Sequence, residues 1–156
     1  MKKIIIYLLF FLVVIASFWV YAQVGKLPQW VTPNMVAIKC ILIGILGGTL
    51  YCLRGVYLSR SIRNDWSEQW ATWYYLRPIV SGISGLIAYV FLKAGLIALG
   101  ASQVSEAGNY GYLAFAFIAG FNVDKFLAKI EDVAKSIFGI EKSRAAKQSS
   151  TDQDAK

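Results

Sequence analysis

The sequence predicts an all-α membrane protein with four transmembrane helices, an interfacial helix between the second and third helices, and a C-terminal amphipathic helix. Of its 156 residues, 57% are hydrophobic and only 16% are charged. That is more apolar surface than a soluble domain of this length can bury. The apolar residues also concentrate in four runs. If all four runs cross a membrane, most basic residues lie on one side of it, as membrane proteins require.

The first apolar run, residues 4–22, follows two lysines and is long enough to cross a hydrocarbon core, which takes about 20 residues. Its length exceeds the roughly 7 to 15 residues usual for the apolar part of a signal peptide. An uncleaved signal anchor is therefore favoured. Cleavage after Ala22 stays open as the alternative, because Val20 and Ala22 fit the small-residue preference of a cleavage site.

The second and third runs, residues 34–53 and 78–100, also approach the length of a span. The fourth, residues 109–122, is short, and a re-entrant or buried helix is the alternative. Helical periodicity that continues past Phe121 and the distribution of basic residues favour a crossing. Residues 1–122 are therefore predicted to form a four-span transmembrane domain.

The basic residues predict the orientation of the spans, because lysine and arginine in short loops collect on the cytoplasmic face. With four spans, the two outer loops at 23–33 and 101–108 contain only Lys26 between them. The expected location is a bacterial inner membrane, crossed four times, with both termini in the cytoplasm. Thirteen of the 16 basic residues then lie inside: Lys2, Lys3, Arg54, Arg60, Arg63, Arg77, Lys125, Lys129, Lys135, Lys142, Arg144, Lys147 and Lys156.

The segment before the third run, residues 64–77, combines aromatic and basic side chains. Trp66, Trp70 and Trp73 are spaced four and three apart, so on a helix they would form one stripe. Indoles at headgroup level, with arginines such as Arg77 facing lipid phosphates, are typical of the inner membrane interface. These four residues are interpreted as interfacial anchors. The alternative is a surface for a cytosolic partner or nucleic acid, but direct nucleic-acid binding is not expected so close to the bilayer.

Two lysines lie within predicted spans. Lys39 shares a helix face with apolar residues and is expected to extend its ammonium group to the membrane interface. Lys93 shares a face with Tyr89 and Gly82, which is more typical of a bundle interior or a water-filled crevice. In an oligomer, a ring of Lys93 side chains would favour anions, so these three residues are candidate pore-lining residues. Neutralisation of Lys93 by Glu106 is the alternative.

Pairs of small residues recur four apart in three of the runs, a spacing that lets helix backbones approach closely within a protomer or between protomers. A homo-oligomer is the expectation drawn from them. The candidate helix-packing residues are Gly44 and Gly48 in the second run, Ser81 and Gly85 in the third, and Ala116 and Gly120 in the fourth.

Residues 123–140 show a strong amphipathic helical pattern. This helix is expected on the cytoplasmic side, either on the inner leaflet or against a partner or second protomer. The polar stretch 141–156 is expected to be disordered. The candidate partner or membrane-surface residues of the amphipathic helix are Phe126, Leu127, Ile130 and Ile137.

The sequence carries few groups suited to catalysis. It has no histidine, and its two cysteines, Cys40 and Cys52, cannot make a four-ligand zinc site. Both are interpreted as apolar packing residues. No phosphate-binding glycine loop or nucleophile–base pair is present, and no carboxylate lies in a predicted span. We therefore expect a non-enzymatic protein without a cofactor or metal, and not a proton-coupled transporter.

The motif RPxxxGxxG at 77–85, followed by KAG at 93–95 and AGF at 119–121, resembles small uncharacterised bacterial multi-pass membrane proteins over about residues 74–123. In overall plan only, the chain is also similar to the four-pass membrane subunit of phage-defence systems such as Kiwa, and no functional residue is matched to it. The resemblance implies a membrane sensor or effector that works with a cytosolic partner.

The sequence therefore leads to two functional hypotheses. The first is a non-enzymatic, homo-oligomeric inner-membrane protein that senses or permeabilises the bilayer, in phage defence. The alternative is an accessory anchor that recruits a cytosolic protein partner through the inner loop and the amphipathic helix.

Overall fold

The computed structural model confirms an all-helical chain in the residues it describes, where no β-strand occurs. The structure describes residues 2–24, 31–59, 70–95 and 107–139. Its helices are α1 (Lys2–Gln23), α2 (Met35–Leu58) preceded by one 3₁₀ turn (Thr32–Asn34), α3 (Ala71–Lys93), α4 (Ala107–Phe121) and α5 (Val123–Phe138).

Three helices among the described residues are long and apolar enough to cross a membrane, in the segments Lys3–Ala22, Thr32–Leu58 and Ala71–Lys93. This finding is compatible with a multi-pass membrane protein. α4 has 15 residues, a length of about 22 Å at 1.5 Å per residue. It is shorter than a hydrocarbon core of about 30 Å.

The chain divides into two compact units, Met1–Val123 and Asp124–Lys156. In the first unit, α1 to α4 run alternately up and down. The start of α3 lies near the start of α1, since the Tyr7 hydroxyl donates a hydrogen bond of 3.0 Å to the Tyr75 carbonyl oxygen. The end of α3 lies near the start of α4, since the rings of Tyr89 and Tyr112 are 5.5 Å apart between centroids.

α2, α3 and α4 pack backbone against backbone. A Cβ atom placed on Gly44 would lie 2.5 Å from the Ser81 carbonyl oxygen, and one placed on Gly85 would lie 2.5 Å from the Cys40 carbonyl oxygen. On Gly47, it would lie 2.6 Å from the Phe117 carbonyl oxygen in α4. Only glycine permits so close an approach of helix axes, which increases dispersion contacts where lipid provides no hydrophobic driving force.

One side of α1 completes this bundle. Ile4 and Leu8 are buried in a cluster with Cys52, Val56 and Tyr74 from α2 and α3. The buried positions of α1, Ile4, Leu8 and Ile15, are four and seven residues apart, as expected for one helix face. The other side of α1 exposes apolar side chains, as a helix in contact with lipid chains would: Ile6, Leu9, Phe10, Val13 and Val14.

α3 differs in its bounds from the predicted third span, 78–100. It begins at Ala71, with Pro78 inside it, and ends at Lys93. Gly95 has a φ of +70°, a left-handed conformation that commonly ends helices and that a hydropathy pattern does not reveal. Residues 71–77 of the predicted interfacial segment therefore form the first turns of α3. Residues 64–69, with Trp66, lie outside the described residues.

Pro78 does not break α3, although its ring nitrogen cannot donate to the carbonyl of Tyr74. Both residues are buried at the packed side of the helix. Contacts with α1 and α2 hold this turn in place, so tertiary packing overrides the usual preference of proline for the first turn. Such packed prolines are more common in membrane helices than in soluble ones.

Candidate functional site

Lys93, the main candidate for a pore lining, lies at the C-terminal end of α3. It is the last residue of the helix, and its side chain is exposed. Its ammonium nitrogen is 5.5 Å from the ring centroid of Tyr89, one turn earlier. A cation at a helix C-terminus interacts favourably with the helix dipole, and a lysine there reaches the membrane interface easily.

The other two candidate pore-lining residues contact neighbouring helices of the same protomer. Tyr89 packs on Tyr112 of α4. Gly82 is buried, and a Cβ atom on it would lie 2.8 Å from a side-chain carbon of Ile45 in α2. In the structure Lys93 is exposed, whereas Gly82 lies between helices. Lys93, Tyr89 and Gly82 therefore do not line one open surface.

Lys39 lies near the start of α2 and is half-buried. Its ammonium nitrogen is 5.5 Å from the ring centroid of Trp19 in α1. A lysine near a membrane loses part of its hydration. A cation–π contact of this kind restores some of the lost stabilisation. The face of α2 that carries Lys39 is therefore adjacent to α1.

The six candidate helix-packing residues all lie inside one protomer. The Ser81 hydroxyl donates a hydrogen bond of 2.8 Å to the Gly120 carbonyl oxygen. This bond joins α3 to α4 at the place where Gly44 of α2 meets Gly120. The whole set is buried: Gly44, Gly48, Ser81, Gly85, Ala116 and Gly120.

The side chain of Arg77 is buried, whereas the sequence predicts an anchor that faces lipid phosphates. Its side chain is only 5% exposed. The guanidinium carbon is 4.8 Å from the ring centroid of Tyr51 and 5.1 Å from that of Trp73. Guanidinium groups stack on aromatic faces, and such contacts gain strength away from water. Trp70, by contrast, is 60% exposed, as an interfacial side chain would be.

The contact between Arg77 and Tyr51 is the feature that sequence reasoning missed. Trp73 and Arg77 are four apart, so their common helix face could have been found from spacing alone. Tyr51 is on another helix and carries no pattern that links it to them. Its ring also lies 5.5 Å from that of Phe121, so it connects the start of α3 with the end of α4.

In α5 the candidate partner residues occupy the apolar side of the helix. Phe126 is buried, Ile130 is half-buried and Leu127 is 40% exposed. The side chain of Ile137 lies outside the described residues. The polar side carries three lysines and three carboxylates: Asp124, Lys125, Lys129, Glu131, Asp132 and Lys135.

Among the described residues, no group of three or more potential metal-binding side chains occurs. Cys40 and Cys52 are both free and buried, which confirms their interpretation as packing residues. Comparison of the chain with protein-family models, curated proteins and solved structures gave no match.

Proposed function

We propose that the protein is a non-enzymatic anchor in a bacterial inner membrane that presents α5 to a cytosolic protein. In this proposal the chain crosses the membrane four times and has both termini in the cytoplasm. The distribution of basic residues in the sequence supports this orientation. The observation that carries the proposal is the division of α5 into an apolar side and a polar side of balanced charge.

The charge balance of α5 favours a protein partner over the lipid surface. Helices that lie on anionic membranes are rich in lysine and arginine on the polar side. α5 has equal numbers of basic and acidic residues, three of each. Amphipathic helices also bind grooves in proteins through apolar side chains three and four residues apart, and Leu127 and Ile130, which are three apart, are both at least partly exposed.

The close packing of α2, α3 and α4 suits a rigid membrane anchor. Their backbones touch at Gly44, Gly85 and Gly120. Contacts of this kind hold helices in one arrangement, because interiors packed at such density deform little. Such a bundle would provide a rigid membrane domain ahead of α5 in the chain.

The second candidate function is an oligomeric component that senses or permeabilises the membrane. The exposed Lys93 at the end of α3 favours it, since several copies could bring these cations together. The burial of Gly82 against Ile45 counts against a pore along that face. A role in phage defence rests only on the resemblance in overall plan.

Photo-crosslinking in living cells tests the anchor proposal. A photoreactive phenylalanine analogue replaces Leu127 on the apolar side of α5, and the control carries it at Lys129, which is exposed on the polar side. We expect an adduct of defined mass with one soluble protein from position 127 and much less from position 129.

Adducts of position 127 with lipid alone would contradict the proposal and assign α5 to the membrane surface. Adducts of twice the mass of the chain would indicate a contact between protomers instead. Mass spectrometry of the purified adducts separates these outcomes. A double variant, Leu127→Asp with Ile130→Asp, should lose the soluble adduct while the protein stays in the membrane fraction.

A further inference from the structure

An open cavity of about 420 Å³ lies where α2 ends and α3 begins. Its volume falls in the range of about 300 to 1,000 Å³ typical of small-molecule sites. Eight of the described residues line it, all within the unit Met1–Val123: Tyr51, Arg54, Gly55, Leu58, Ser59, Trp70, Trp73 and Tyr74.

The chemistry of this lining favours an anion. Of the eight described lining residues, six carry a side-chain hydrogen-bond donor, namely the arginine, the serine, two tyrosines and two tryptophans, and none of these eight carries a carboxylate. Arg54 is exposed at the cavity. It therefore provides a mobile cation that can form two parallel hydrogen bonds with a phosphate.

A second cation lies behind the aromatic wall. Tyr51 and Trp73 line the cavity, and the buried guanidinium of Arg77 is within 5.1 Å of both ring centroids. Charge in a medium of low dielectric is weakly screened, so Arg77 raises the electrostatic potential in the cavity. The helix dipoles add little net potential, because the negative end of α2 lies at the cavity together with the positive end of α3.

The position of the cavity identifies the source of the anion. α2 and α3 are both candidate membrane spans, and the cavity lies at their shared end. Headgroups are found at this depth, and basic sites between transmembrane helices bind anionic headgroups. Trp70 is 60% exposed at the opening, and indoles favour the boundary between headgroups and acyl chains.

We infer that this cavity binds the phosphodiester headgroup of an anionic phospholipid, with Arg54 as its mobile cation and Arg77 as fixed positive charge behind Tyr51 and Trp73. The glycine at position 55 leaves room for the Tyr74 hydroxyl in the lining, because a Cβ atom there would lie 2.9 Å from it. This inference does not rest on the proposed function, since none of the eight described lining residues belongs to α5.

Native mass spectrometry of the full chain released from nanodiscs tests the inference. Phosphatidylglycerol and phosphatidylcholine with identical acyl chains are compared. We expect one phosphatidylglycerol molecule to be retained preferentially, and Arg54→Gln to lower its affinity about fivefold. Trp70→Leu should weaken binding as well, and since both side chains are exposed, neither variant should disturb the fold.

The matched control is Lys93→Gln, which removes the same charge from an exposed residue at the other end of α3. It should bind phosphatidylglycerol like the wild type. Equal losses in Arg54→Gln and Lys93→Gln would show general charge attraction and overturn the site. Equal retention of the two lipids would also overturn it. Displacement of the lipid by inorganic phosphate alone would identify a small-anion site and contradict the assignment to lipid.

Discussion

The Ser81 hydroxyl in α3 donates a 2.8 Å hydrogen bond to the Gly120 carbonyl oxygen in α4. This bond crosses between helices at a place where α2 also touches α4 through Gly44. Three helices therefore meet at one point in the interior of the bundle. Hydrogen bonds between helices in a membrane stabilise by only about 1 kcal/mol, so close backbone packing contributes most of the stability here.

Removal of the Ser81 hydroxyl should destabilise the bundle modestly. Ser81→Ala is expected to lower the free energy of unfolding by about 1 kcal/mol, because the bond to α4 is lost. Ser84→Ala is the control, since its hydroxyl donates to the Val80 carbonyl oxygen within the same helix. Unfolding by steric trapping in bicelles measures both variants. An equal loss in the two would contradict a specific role for the bond between helices.

A methyl group at Gly120 should destabilise the bundle more than the loss of the hydrogen bond between Ser81 and Gly120. In Gly120→Ala the new Cβ atom would lie 2.7 Å from the Gly44 Cα atom, and backbone cannot move aside as a flexible side chain can. We expect a loss of about 1 to 3 kcal/mol, as for overpacked cores. Gly111→Ala in the same helix meets nothing within 4 Å. Equal melting temperatures of Gly120→Ala and Gly111→Ala would contradict the expected clash with Gly44.

Leu8 and Leu9 are adjacent in α1 but differ in their surroundings. Leu8 is completely buried, whereas Leu9 is 48% exposed. Leu8→Ala leaves a cavity beside Cys52, Val56 and Tyr74, and we expect it to lower stability by about 2 to 5 kcal/mol. Leu9→Ala should change stability little, because lipid fills the space. Thermal unfolding in detergent measures the difference, and a larger loss for Leu9→Ala would reverse the assigned helix face.

Replacement of Arg77 by lysine should lower the stability of the protein. Lysine keeps the positive charge but lacks the planar group that stacks on Tyr51 and Trp73. Arg77→Lys is expected to lower stability by about 0.5 to 2 kcal/mol. Arg54→Lys, at an exposed position on α2, is the control and should stay near wild type. Tryptophan fluorescence during unfolding reports the loss, and wild-type stability of Arg77→Lys would argue that charge alone matters.

The sequence predicted the helical segments well because apolar runs and amphipathic periodicity are strong local signals. The amphipathic helix was expected to begin at residue 123, and α5 begins at Val123. The predicted bounds of α3 were about seven residues too far along the chain. Two local features caused this shift: Pro78 looked like a helix start, and the left-handed turn at Gly95 is invisible to hydropathy.

The candidate sites were harder to predict, because they depend on which helices become neighbours. Glycine spacing indicated that helices approach closely, but not that α2 meets both α3 and α4. The burial of Arg77 depends on Tyr51, a residue of another helix. Periodicity places residues on one face of a helix, whereas the partner of that face follows only from tertiary packing.

The most direct test of the anchor proposal is ion flux through the purified protein in liposomes, with wild type beside Lys93→Glu. A closed helix bundle that serves as an anchor predicts no flux above empty liposomes from either protein, both shown to be folded. Anion-favouring flux in the wild type that Lys93→Glu turns to favour cations would contradict the proposal. That result would establish a pore with Lys93 in its lining.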